Sequence, residues 1–476
     1  MNTIVSTCQS TFIKHRSIHD NFMEVRGTIR RFHRNKIPAL FLKLDIAKAF
    51  DSISWEYLLA LLEHLGFPTK WRGWIAAILS SSTSRVFLNS VPNPPLRHGR
   101  GLRQGDPLSP FLFVIAINPL QRLLEVATEI GVLTKLRGRP PGLRISMFAD
   151  DAAIFVTPTK GDVSMVARIL GLFGEVTGLK TNFLKSTVVP IQCSGINLAD
   201  VLSGLPAKRA SSPLKYLGLP LSLTRLKRVD FQPLIDKISA KWNGKNLSAA
   251  SRLMLSFPPP KDVMKWIDSK RKQFLWARSE RLIGEKCKVS WTRAARPKIH
   301  SGLGILHLGK FSHALRLRWL WQEFKEPARN WMMGDLPCTA VDKLLFAAAT
   351  SITVGDGKST LFWESTWLRG LRPRDIYPKI FSISRRKNRS IQEALSNNNW
   401  IHDLNFHNEE ISAAHLQEYC QLWAEVNQLH LPANNPDSIQ WKLTLNGLYT
   451  TQSAYQDQGG SLVVDSMEAN HLANLL

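Results

Sequence analysis

The hydrophobic pattern of the N-terminal part of the chain alternates between the period of a strand and that of a helix. A continuous apolar run over residues 39–46 predicts a strand. Apolar positions at helical spacing follow over residues 55–65 and 69–79, and further helices are predicted over 110–127 and 163–176. A pair of short apolar runs precedes the last helix. This order predicts an α+β layer, with helices packed on one face of a mostly antiparallel sheet.

Two adjacent acidic residues, Asp150 and Asp151, separate that pair of apolar runs, residues 143–148 and 152–156. The pattern predicts a β-hairpin with the acids at its tip. Two neighbouring carboxylates between apolar strands repel each other unless a cation lies beside them. Asp45 ends the first apolar run, so two acidic strand ends that meet would have the composition of a two-metal site for phosphoryl transfer. An Asp–Asp pair by itself more often marks a solvated turn.

The net charge indicates a polyanionic partner. The 476-residue chain carries a formal charge of +25, and residues 201–330 hold 27 Lys and Arg against 8 Asp and Glu. Basic side chains neutralise phosphates, and aromatic rings can stack on bases. Six tryptophans are interleaved with this charge: Trp242, Trp266, Trp276, Trp291, Trp319 and Trp321. The alternative is that these tryptophans belong to a core and that the charge forms a solvated face.

Composition also bears on the compartment. The five cysteines are far apart in the sequence and predict neither a disulfide framework nor a zinc site. The chain does not open with the pattern of a signal peptide, and no apolar run reaches the ~18 residues of a membrane span. We expect an intracellular protein of the nucleus or cytoplasm that is not secreted and binds no membrane.

Six motifs stand in a particular order and spacing. They are Gln9-Ser-Thr-Phe-Ile-Lys-His-Arg16, Leu44-Asp45 with Phe50-Asp51, Gly101-Leu-Arg-Gln-Gly-Asp-Pro-Leu-Ser-Pro110, Phe148-Ala-Asp-Asp151, Gly178-Leu-Lys-Thr-Asn182 with Lys185-Ser186, and Lys215-Tyr-Leu-Gly-Leu-Pro220. In this order they resemble the reverse transcriptase of plant LINE-type (non-LTR) retrotransposons. One such motif is weak, whereas six in register are specific. The resemblance covers residues 9–330, and weaker similar segments extend it to about residue 455.

The resemblance implies a right-hand polymerase fold and RNA-directed DNA polymerase activity. Residues 1–200 would form partial fingers and an antiparallel-sheet palm, residues 205–330 a helical basic thumb, and residues 331–476 a poorly defined C-terminal region. The reaction would transfer a nucleotide from a dNTP to the 3′-hydroxyl of a DNA primer on an RNA template, with two Mg²⁺ ions as cofactors.

The same resemblance assigns the catalytic residues. Asp45 and Asp150 would bridge the metal ions, and Asp151 would be the third acid of the site. Lys185 would act as a general acid towards the leaving pyrophosphate, although a lysine at such a position is most often a surface residue.

Four more residues take their roles from the resemblance. Phe50 would be the steric gate that excludes a 2′-hydroxyl, with core packing as the alternative role. Gln104 and Gly105 would form the turn that contacts the incoming nucleotide, since glycine lets a backbone approach closely. Asp51 would orient that turn.

Three departures from the family pattern are visible. The chain begins just ahead of the Gln9 motif, so we expect the preceding fingers segment and the N-terminal endonuclease to be absent and the sheet to keep an exposed edge. The passage from Ser256 into Phe257-Pro-Pro-Pro260 predicts a shortened thumb. The zinc-binding segment begins at Trp441 and loses its pattern after Tyr455, so no zinc is predicted. These departures suggest a catalytically degenerate polymerase.

Alternatives to a working polymerase remain open at this point. One is a non-enzymatic nucleic-acid-binding remnant that keeps the basic thumb. Another is an intron maturase, which shares the palm, although residues 355–367 are more similar to the plant retroelement. A viral RNA-dependent RNA polymerase is disfavoured because Phe50 stands where such enzymes need a small residue near the sugar.

Overall fold

The structure is a computed structural model and describes residues 1, 3–137, 144–224, 226–233, 235–236, 248–277, 289–296, 298, 301–327, 329, 336–406, 411–432 and 434–460. It consists of two compact units. The N-terminal unit comprises Met1–Pro233 and Asn330–Asp335, and the C-terminal unit comprises Leu234–Arg329 and Leu336–Leu476.

The N-terminal unit combines helices with one principal sheet. Its strands are β1 (Ala39–Leu44), β2 (Thr83–Ser84), β3 (Phe87–Leu88), β4 (Val91–Pro92), β5 (Leu96–Arg97), β6 (Ile145–Phe148), β7 (Asp151–Val156), β8 (Thr187–Ile191), β9 (Lys208–Arg209), β10 (Leu214–Tyr216) and β11 (Leu219–Leu221). Its α-helices are α1 (Ile18–Arg34), α2 (Ala49–Ser52), α3 (Trp55–His64), α4 (Thr69–Ser80), α5 (Ser109–Ile117), α6 (Pro119–Glu129), α7 (Lys160–Thr177) and α8 (Leu198–Val201). A 3₁₀ helix covers Arg228–Phe231.

The principal sheet has the strand order β6-β7-β1-β8-β9. Strand β1 lies at its centre and pairs antiparallel with both β7 and β8, and β6 pairs antiparallel with β7. Only β8 and β9 run parallel among the described strands of this sheet. The apolar run that ends at Asp45 and the hairpin that carries Asp150 are therefore neighbouring parts of one antiparallel sheet, as their sequence pattern predicts.

Both faces of this sheet are covered. Leu40 and Leu42 of β1 share one buried core with residues of α3, α5, α6 and α7. On the other face, the ring of Phe155 lies 5.7 Å from that of Phe32 in α1, and Phe41 lies 6.0 Å from Tyr216 of β10. The expectation of helices on one face only is therefore wrong, because Phe41 of β1 and Phe155 of β7 are large apolar side chains on the second face and also need cover.

The α5–α6 segment has the length and composition of a membrane span, contrary to the sequence expectation. Ser109–Glu129 has a most apolar window with a mean hydropathy of 1.4, and 56% of that window is buried inside the protein. Its apolar residues include Phe113 and Ile117, which belong to the core beside the sheet. The segment is also divided at Asn118, because Pro119 cannot donate a backbone hydrogen bond within a continuous helix.

The N-terminal segment runs along the outer strand of the sheet. Met147 of β6 donates its N–H to the carbonyl of Cys8 (2.8 Å) and accepts the N–H of Ser10 (3.2 Å). Gln9 stands between them in a parallel bridge with Met147. The predicted exposed edge is thus covered at this point, because residues 8–10 supply the backbone partners that a further strand would supply.

The predicted boundary near residue 200 differs from the division in the structure. Tyr216 of β10 is fully buried against Phe41, so the chain remains part of the N-terminal unit as far as Pro233. At the second predicted boundary, near residue 330, Trp321 lies 6.3 Å from Trp441. Residues on the two sides of that boundary therefore share one core in the C-terminal unit.

The C-terminal unit is mostly helical. Its helices are α9 (Ser248–Ser256), α10 (Lys261–Ala277), α11 (Trp291–Ala294), α12 (Leu308–Lys325), α13 (Ala340–Ala349), α14 (Pro373–Ile376), α15 (Pro378–Ile383), α16 (Ile391–Leu395), α17 (Asn399–His402), α18 (Ala413–Asn427) and α19 (Thr451–Gly460). A 3₁₀ turn covers Ser396–Asn398, and β12 (Thr350–Thr353) pairs antiparallel with β13 (Ser438–Trp441).

The region predicted to be poorly defined has an aromatic core of its own. Phe362 packs against Trp363, Trp367 and Trp400, with ring centroids 5.0–5.9 Å apart. The sequence did not show this core because its residues come from short helices and turns, which carry little periodicity.

Two of the six tryptophans proposed to stack on bases are part of a core instead. Trp319 is fully buried, and its indole N–H donates to the carbonyl of Leu255 (2.7 Å). Trp321 packs against Trp441 and Tyr449. Trp242 lies outside the described residues.

One carboxylate joins two distant segments of the C-terminal unit. Asp437 accepts hydrogen bonds from the backbone N–H groups of Gly355 (2.7 Å), Gly357 (2.9 Å), Ser359 (3.0 Å) and Thr360 (3.0 Å). The hydroxyl of Thr360 is a fifth donor, at 2.8 Å. Hydrogen bonds to an ionised acceptor are stronger than neutral ones, so Asp437 closes the loop that precedes the aromatic core.

We expect Asp437→Asn to lower the free energy of unfolding of the C-terminal unit by about 2 kcal/mol, because an amide places a donor against backbone donors and removes the charge. Urea unfolding followed by tryptophan fluorescence measures this loss. The matched control is Asp356→Asn in the same loop, since the Asp356 carboxylate bonds to the N–H (3.2 Å) and the Nζ (2.9 Å) of Lys358, two residues away, and joins no distant segments. Equal stability of the two variants would contradict the role of Asp437.

Candidate active site

Three acidic side chains lie at one end of the principal sheet. Asp45 directly follows β1, and Asp151 is the first residue of β7. Because Leu44 pairs with Ala152, the same register places Asp45 opposite Asp151. Asp150 occupies the two-residue turn between β6 and β7. Backbone pairing therefore brings the three predicted acids to one place.

Asp151 shows that these charges affect one another. Burial raises the pKa of the Asp151 carboxyl above its ordinary value, and the charges of Asp150 and Asp45 raise this pKa further. Lys43 opposes the rise, with its Nζ 3.9 Å from the Asp151 carboxylate. One lysine does not offset burial and two like charges, so the site has unbalanced negative charge.

The donor set is suited to a hard cation. Carboxylate oxygens are the ligands that Mg²⁺ prefers, and Mg²⁺ is usually bound by one or two carboxylates together with water and substrate phosphates. Within the described part of the chain, no group of three or more His, Cys, Asp or Glu side chains could by itself hold a metal ion. The three acids thus fit a cation whose coordination a substrate completes, and they do not form a closed cage.

Gln9 fixes the turn that carries Asp150. Its side-chain Oε1 accepts hydrogen bonds from the N–H groups of Ala149 (3.2 Å) and Thr11 (3.1 Å). Ala149 has a φ of 55°, a left-handed conformation that is unfavourable for alanine and needs support. Gln9 is fully buried, and its Nε2 has no hydrogen-bond partner. The side chain therefore supports a strained turn directly beside the acids.

The loop before β8, the strand that flanks β1 on the side opposite to β7, holds the backbone of Asp45. The N–H of Asp45 donates to the hydroxyl of Ser186 (3.1 Å), and its carbonyl accepts the N–H of Asn182 (2.7 Å). Ala47 donates to the carbonyl of Lys180 (2.9 Å). These bonds fix the backbone at Asp45 and leave its carboxylate for other partners.

Two glycines allow backbones to meet around this segment. Gly178 has a φ of 83°, and a Cβ there would lie 2.0 Å from the carbonyl oxygen of Ser52. Gly101 has a φ of 86°, and its Cβ would lie 2.6 Å from the carbonyl oxygen of Asp51. Any larger residue would therefore push the loop after α7, or the segment that carries Gln104, away from α2.

The residues predicted to contact a nucleotide lie on two segments that are hydrogen-bonded to each other. Leu102 donates its N–H to the carbonyl of Phe50 (2.7 Å), and Gln104 donates through Nε2 to the Asp51 carboxylate (3.2 Å). Gln104 and Gly105 are exposed, and Gly105 has a φ of 90°. The turn is thus open to solvent and joined to Asp51.

The ring of Phe50 is packed on one side. It stacks on Phe113 of α5, with ring centroids 4.5 Å apart and an interplanar angle of 14°. Phe50 is only partly buried. Phe50 therefore packs against the core and remains partly exposed.

Lys185 is exposed and lies in the turn of residues 182–186 that precedes β8. The β1–β8 pairing ends at Lys43 and Thr187, and beyond this turn Ile46 pairs with Thr181, so the turn that carries Lys185 lies beside Asp45. The backbone N–H of Lys185 donates to the carbonyl of Asn182 (3.2 Å).

Sequence reasoning missed the supporting residues. Gln9, Asn182 and Ser186 were recognised only as parts of motifs, and Lys43 was not considered at all. The signal that could have found Lys43 is its position two residues before Asp45, since alternate residues of a strand share a face. The contact between Gln9 and Ala149 joins positions 140 residues apart and has no local signal.

The N-terminal unit matches a known protein family. Residues 1–221, slightly less than half of the chain, match the family described as reverse transcriptase (RNA-dependent DNA polymerase). This match supports a polymerase fold for the mixed α and β unit.

Relatives among curated proteins come from mobile elements. The chain is 26% identical over 355 residues to the transposon TX1 uncharacterized 149 kDa protein of Xenopus laevis, covering 69% of this chain and 26% of that protein. It is 26% identical over 217 residues to the retrovirus-related Pol polyprotein from type-2 retrotransposable element R2DM of Drosophila melanogaster, covering 43% of this chain and 20% of that protein. The matched region thus spans about a quarter or less of these relatives.

Among solved structures, a telomerase from Candida tropicalis in complex with a fragment of telomeric RNA aligns with a TM-score of 0.34 and 11% identity. The alignment covers 68% of this chain and 52% of that chain. A likeness at this level carries no conclusion about the chain.

We expect Asp151→Asn to raise the melting temperature of the N-terminal unit at pH 7.5. A carboxyl whose folded pKa is raised contributes stability at low pH, and this contribution is lost as pH rises through the folded pKa. The advantage of the variant should therefore shrink as the pH falls through the pKa of the folded wild-type carboxyl. Thermal unfolding at pH 7.5 and pH 4 measures it, with Asp51→Asn as the control outside the trio. A variant that is no more stable than the wild type at pH 7.5 would refute the repulsion.

We expect Gln9→Ala to speed amide hydrogen exchange of the hairpin turn about tenfold, since the variant removes the acceptor of the Ala149 N–H. Exchange followed by mass spectrometry on peptides that contain residues 148–151 measures this change. Gln104→Ala is the control, because Gln104 contacts Asp51 and not the hairpin. Unchanged protection at the turn would show that Gln9 does not support it.

Proposed function

We propose that this chain is the polymerase portion of a reverse transcriptase from a plant non-LTR retrotransposon. The single observation that carries the proposal is the meeting of Asp45, Asp150 and Asp151 at one end of an antiparallel sheet. The motif series and the family match of residues 1–221 support it. The principal sheet is then the palm, and residues 205–330 provide the thumb.

The acids bind the cofactor in this proposal. Asp45 and Asp150 would hold two Mg²⁺ ions, and Asp151 would add negative charge next to them. Bound there, Mg²⁺ supplies activation of the primer hydroxyl and neutralisation of the triphosphate. Lys43 limits the repulsion among the acids without removing it. Gln9 keeps the turn in place, so the Asp150 carboxylate stays at the tip.

The chain's other residues position the nucleotide. The partly exposed Phe50 side chain lies under the sugar and excludes a 2′-hydroxyl, and its stacking on Phe113 holds the ring in place. Gln104 and Gly105 line the nucleotide from the neighbouring segment, which the Asp51–Gln104 hydrogen bond orients.

The reaction then proceeds as an in-line transfer. The primer 3′-oxygen forms a bond to the α-phosphorus of the dNTP while the bond from that phosphorus to the pyrophosphate oxygen breaks. The primer hydroxyl gives its proton to solvent water, Lys185 gives a proton to the leaving pyrophosphate, and solvent returns a proton to Lys185. An exposed lysine suits this role because it can move with the leaving group.

The basic segment supplies a grip on the nucleic acid. Residues 201–330 contain 27 Lys and Arg, and contacts to phosphates hold an RNA template and a DNA primer without reading sequence. Lys272, whose Nζ lies 5.6 Å from the centre of the Trp291 ring, is one of these cations, whereas the neighbouring Arg271 is buried and pairs with Asp268 (2.8 Å).

A second candidate function is nucleic-acid binding without catalysis. The observation that favours it is the openness of the acidic site, since no described trio of side chains is ready to hold a metal ion. Phosphate contacts by the basic segment do not need the acids, so binding would survive their loss.

Primer extension tests the proposal. The purified chain is given an RNA template, an annealed DNA primer, dNTPs and Mg²⁺, beside Asp150→Asn and Asp45→Asn. We expect extension by the wild type and at least about a hundredfold loss in both variants, because each removes a metal ligand. The control is Asp200→Asn, an exposed acid of the same unit that pairs with Lys160.

The same preparations are tested for binding of the template–primer without dNTPs. Extension that persists in Asp150→Asn would contradict the assigned site. A wild type that binds with a steep salt dependence and extends no primer would favour the second candidate.

A further inference from the structure

A narrow β-ribbon projects from the N-terminal unit after α4. We call residues 83–98 the arm. Its root is the pair β2–β5, with Thr83 opposite Arg97, and its tip is the pair β3–β4, with Leu88 opposite Val91. The tip turns through Asn89 and Ser90, which have φ values of 48° and 66° as a tight two-residue hairpin turn requires.

The tip of the arm is apolar and open to solvent. The exposed fraction is 66% for Phe87, 66% for Leu88 and 65% for Val91. All eight residues in the four strands of the arm are exposed. Large apolar side chains grouped on a projecting element indicate a contact surface, because the fold itself gains nothing from them.

The charge around the arm has one sign. No Asp or Glu occurs between Glu63 and Asp106, although that segment contains six basic residues: Lys70, Arg72, Arg85, Arg97, Arg100 and Arg103. Arg85 and Arg97 lie at the root, next to the apolar tip. A partner of the arm must therefore carry negative charge beside an apolar surface.

The arm is continuous with the segment of the candidate site. His98 donates its N–H to the carbonyl of Ser82 (3.0 Å) and closes the root. Three residues later, Gly101 donates to the carbonyl of Ile53 (2.8 Å), and Gln104 follows on the same segment. A nucleic acid bound at the site would thus be within reach of the element that precedes Gly101.

We propose that the arm binds double-stranded nucleic acid, with its apolar tip in the minor groove and the arginines of its root on the phosphates. The minor groove of an A-form duplex is wide and shallow, so a two-stranded ribbon can lie in it, and apolar side chains serve as minor-groove wedges in proteins that bend a duplex. A single strand is a poorer fit, since the tip offers one aromatic ring for stacking. The duplex is the RNA–DNA hybrid that the proposed function produces, and the inference rests on that function for the identity of the duplex.

Fluorescence anisotropy with a 16-base-pair RNA–DNA hybrid tests the arm, without dNTPs or Mg²⁺. The tip variant is Leu88→Ser with Val91→Ser, and the root variant is Arg85→Gln with Arg97→Gln. The matched control is Leu172→Ser with Val176→Ser, a similarly exposed Leu–Val pair on α7 (54% and 63%). The tip and control positions are mostly exposed, so the replacements should leave the fold intact, which circular dichroism verifies.

The two kinds of variant should weaken binding in different ways. We expect the tip variant to bind about tenfold more weakly at every salt concentration with an unchanged salt slope, because it loses only apolar contact. The root variant should reduce the slope of log K against log salt by about 2, because it loses two phosphate contacts. The control pair should bind as the wild type does.

Three results would overturn the proposal. One is a tip variant with wild-type affinity for the hybrid. Another is an equal loss of affinity of the tip variant for a 16-nucleotide single-stranded RNA, which would show that the tip does not require a duplex. The third is a tip effect seen only in binding to phosphatidylserine vesicles or in self-association measured by sedimentation, which would assign the tip to a membrane or to a second copy.

Failure of the arm is distinguishable from failure of the proposed function. If the arm variants weaken binding of the hybrid but the wild type extends no primer, the proposal for the arm stands and the polymerase proposal is contradicted. If the wild type extends a primer and both arm variants bind the hybrid with unchanged affinity, the polymerase proposal stands and the proposal for the arm is contradicted.

Discussion

Repulsion among Asp45, Asp150 and Asp151 is the constraint around which the N-terminal unit is arranged. Sheet register alone brings the three acids together, and the folded state must hold them there against both burial and like charge. The only described cation in an ion pair with one of them is Lys43, at 3.9 Å. The surrounding backbone therefore has to be rigid, since a flexible site would separate its charges.

That rigidity comes from hydrogen bonds to the backbone beside the acids. The loop before β8 bonds to the N–H of Asp45 through the Ser186 hydroxyl and to the Asp45 carbonyl through the Asn182 N–H, and the segment after the arm bonds to Phe50. Gly101 and Gly178 make these approaches possible, because no side chain could occupy the space between the backbones. Because glycine can adopt these conformations without a steric clash, the two glycines allow the backbone contacts that hold the acids in position. The arrangement gives up stability at the site for a geometry that a bound cation can complete.

Elements with a strong local pattern could be predicted from the sequence, and contacts between distant elements could not. The helix over residues 55–65 is observed as Trp55–His64, with Ser54 accepting the N–H of Tyr57. The predicted hairpin is observed with its acids at the tip. In contrast, the covering of β6 by residues 8–10 depends on a partner far along the chain, so the edge was expected to be open. Trp319 was interpreted as a stacking residue because burial cannot be deduced from a tryptophan among basic residues.

The Asp437 loop closure has a consequence for the order in which the C-terminal unit can fold. Asp437 follows Gly355 by 82 residues, so a ribosome that adds roughly 5–20 residues per second delivers the acceptor about 4–16 s after its donors. During that interval the N–H groups of residues 355–360 that bond to Asp437 lack this carboxylate, and β12 lacks its partner strand β13. The loop next to the aromatic core therefore cannot close before residue 437 has been synthesised, although the short helices between its two ends can form earlier.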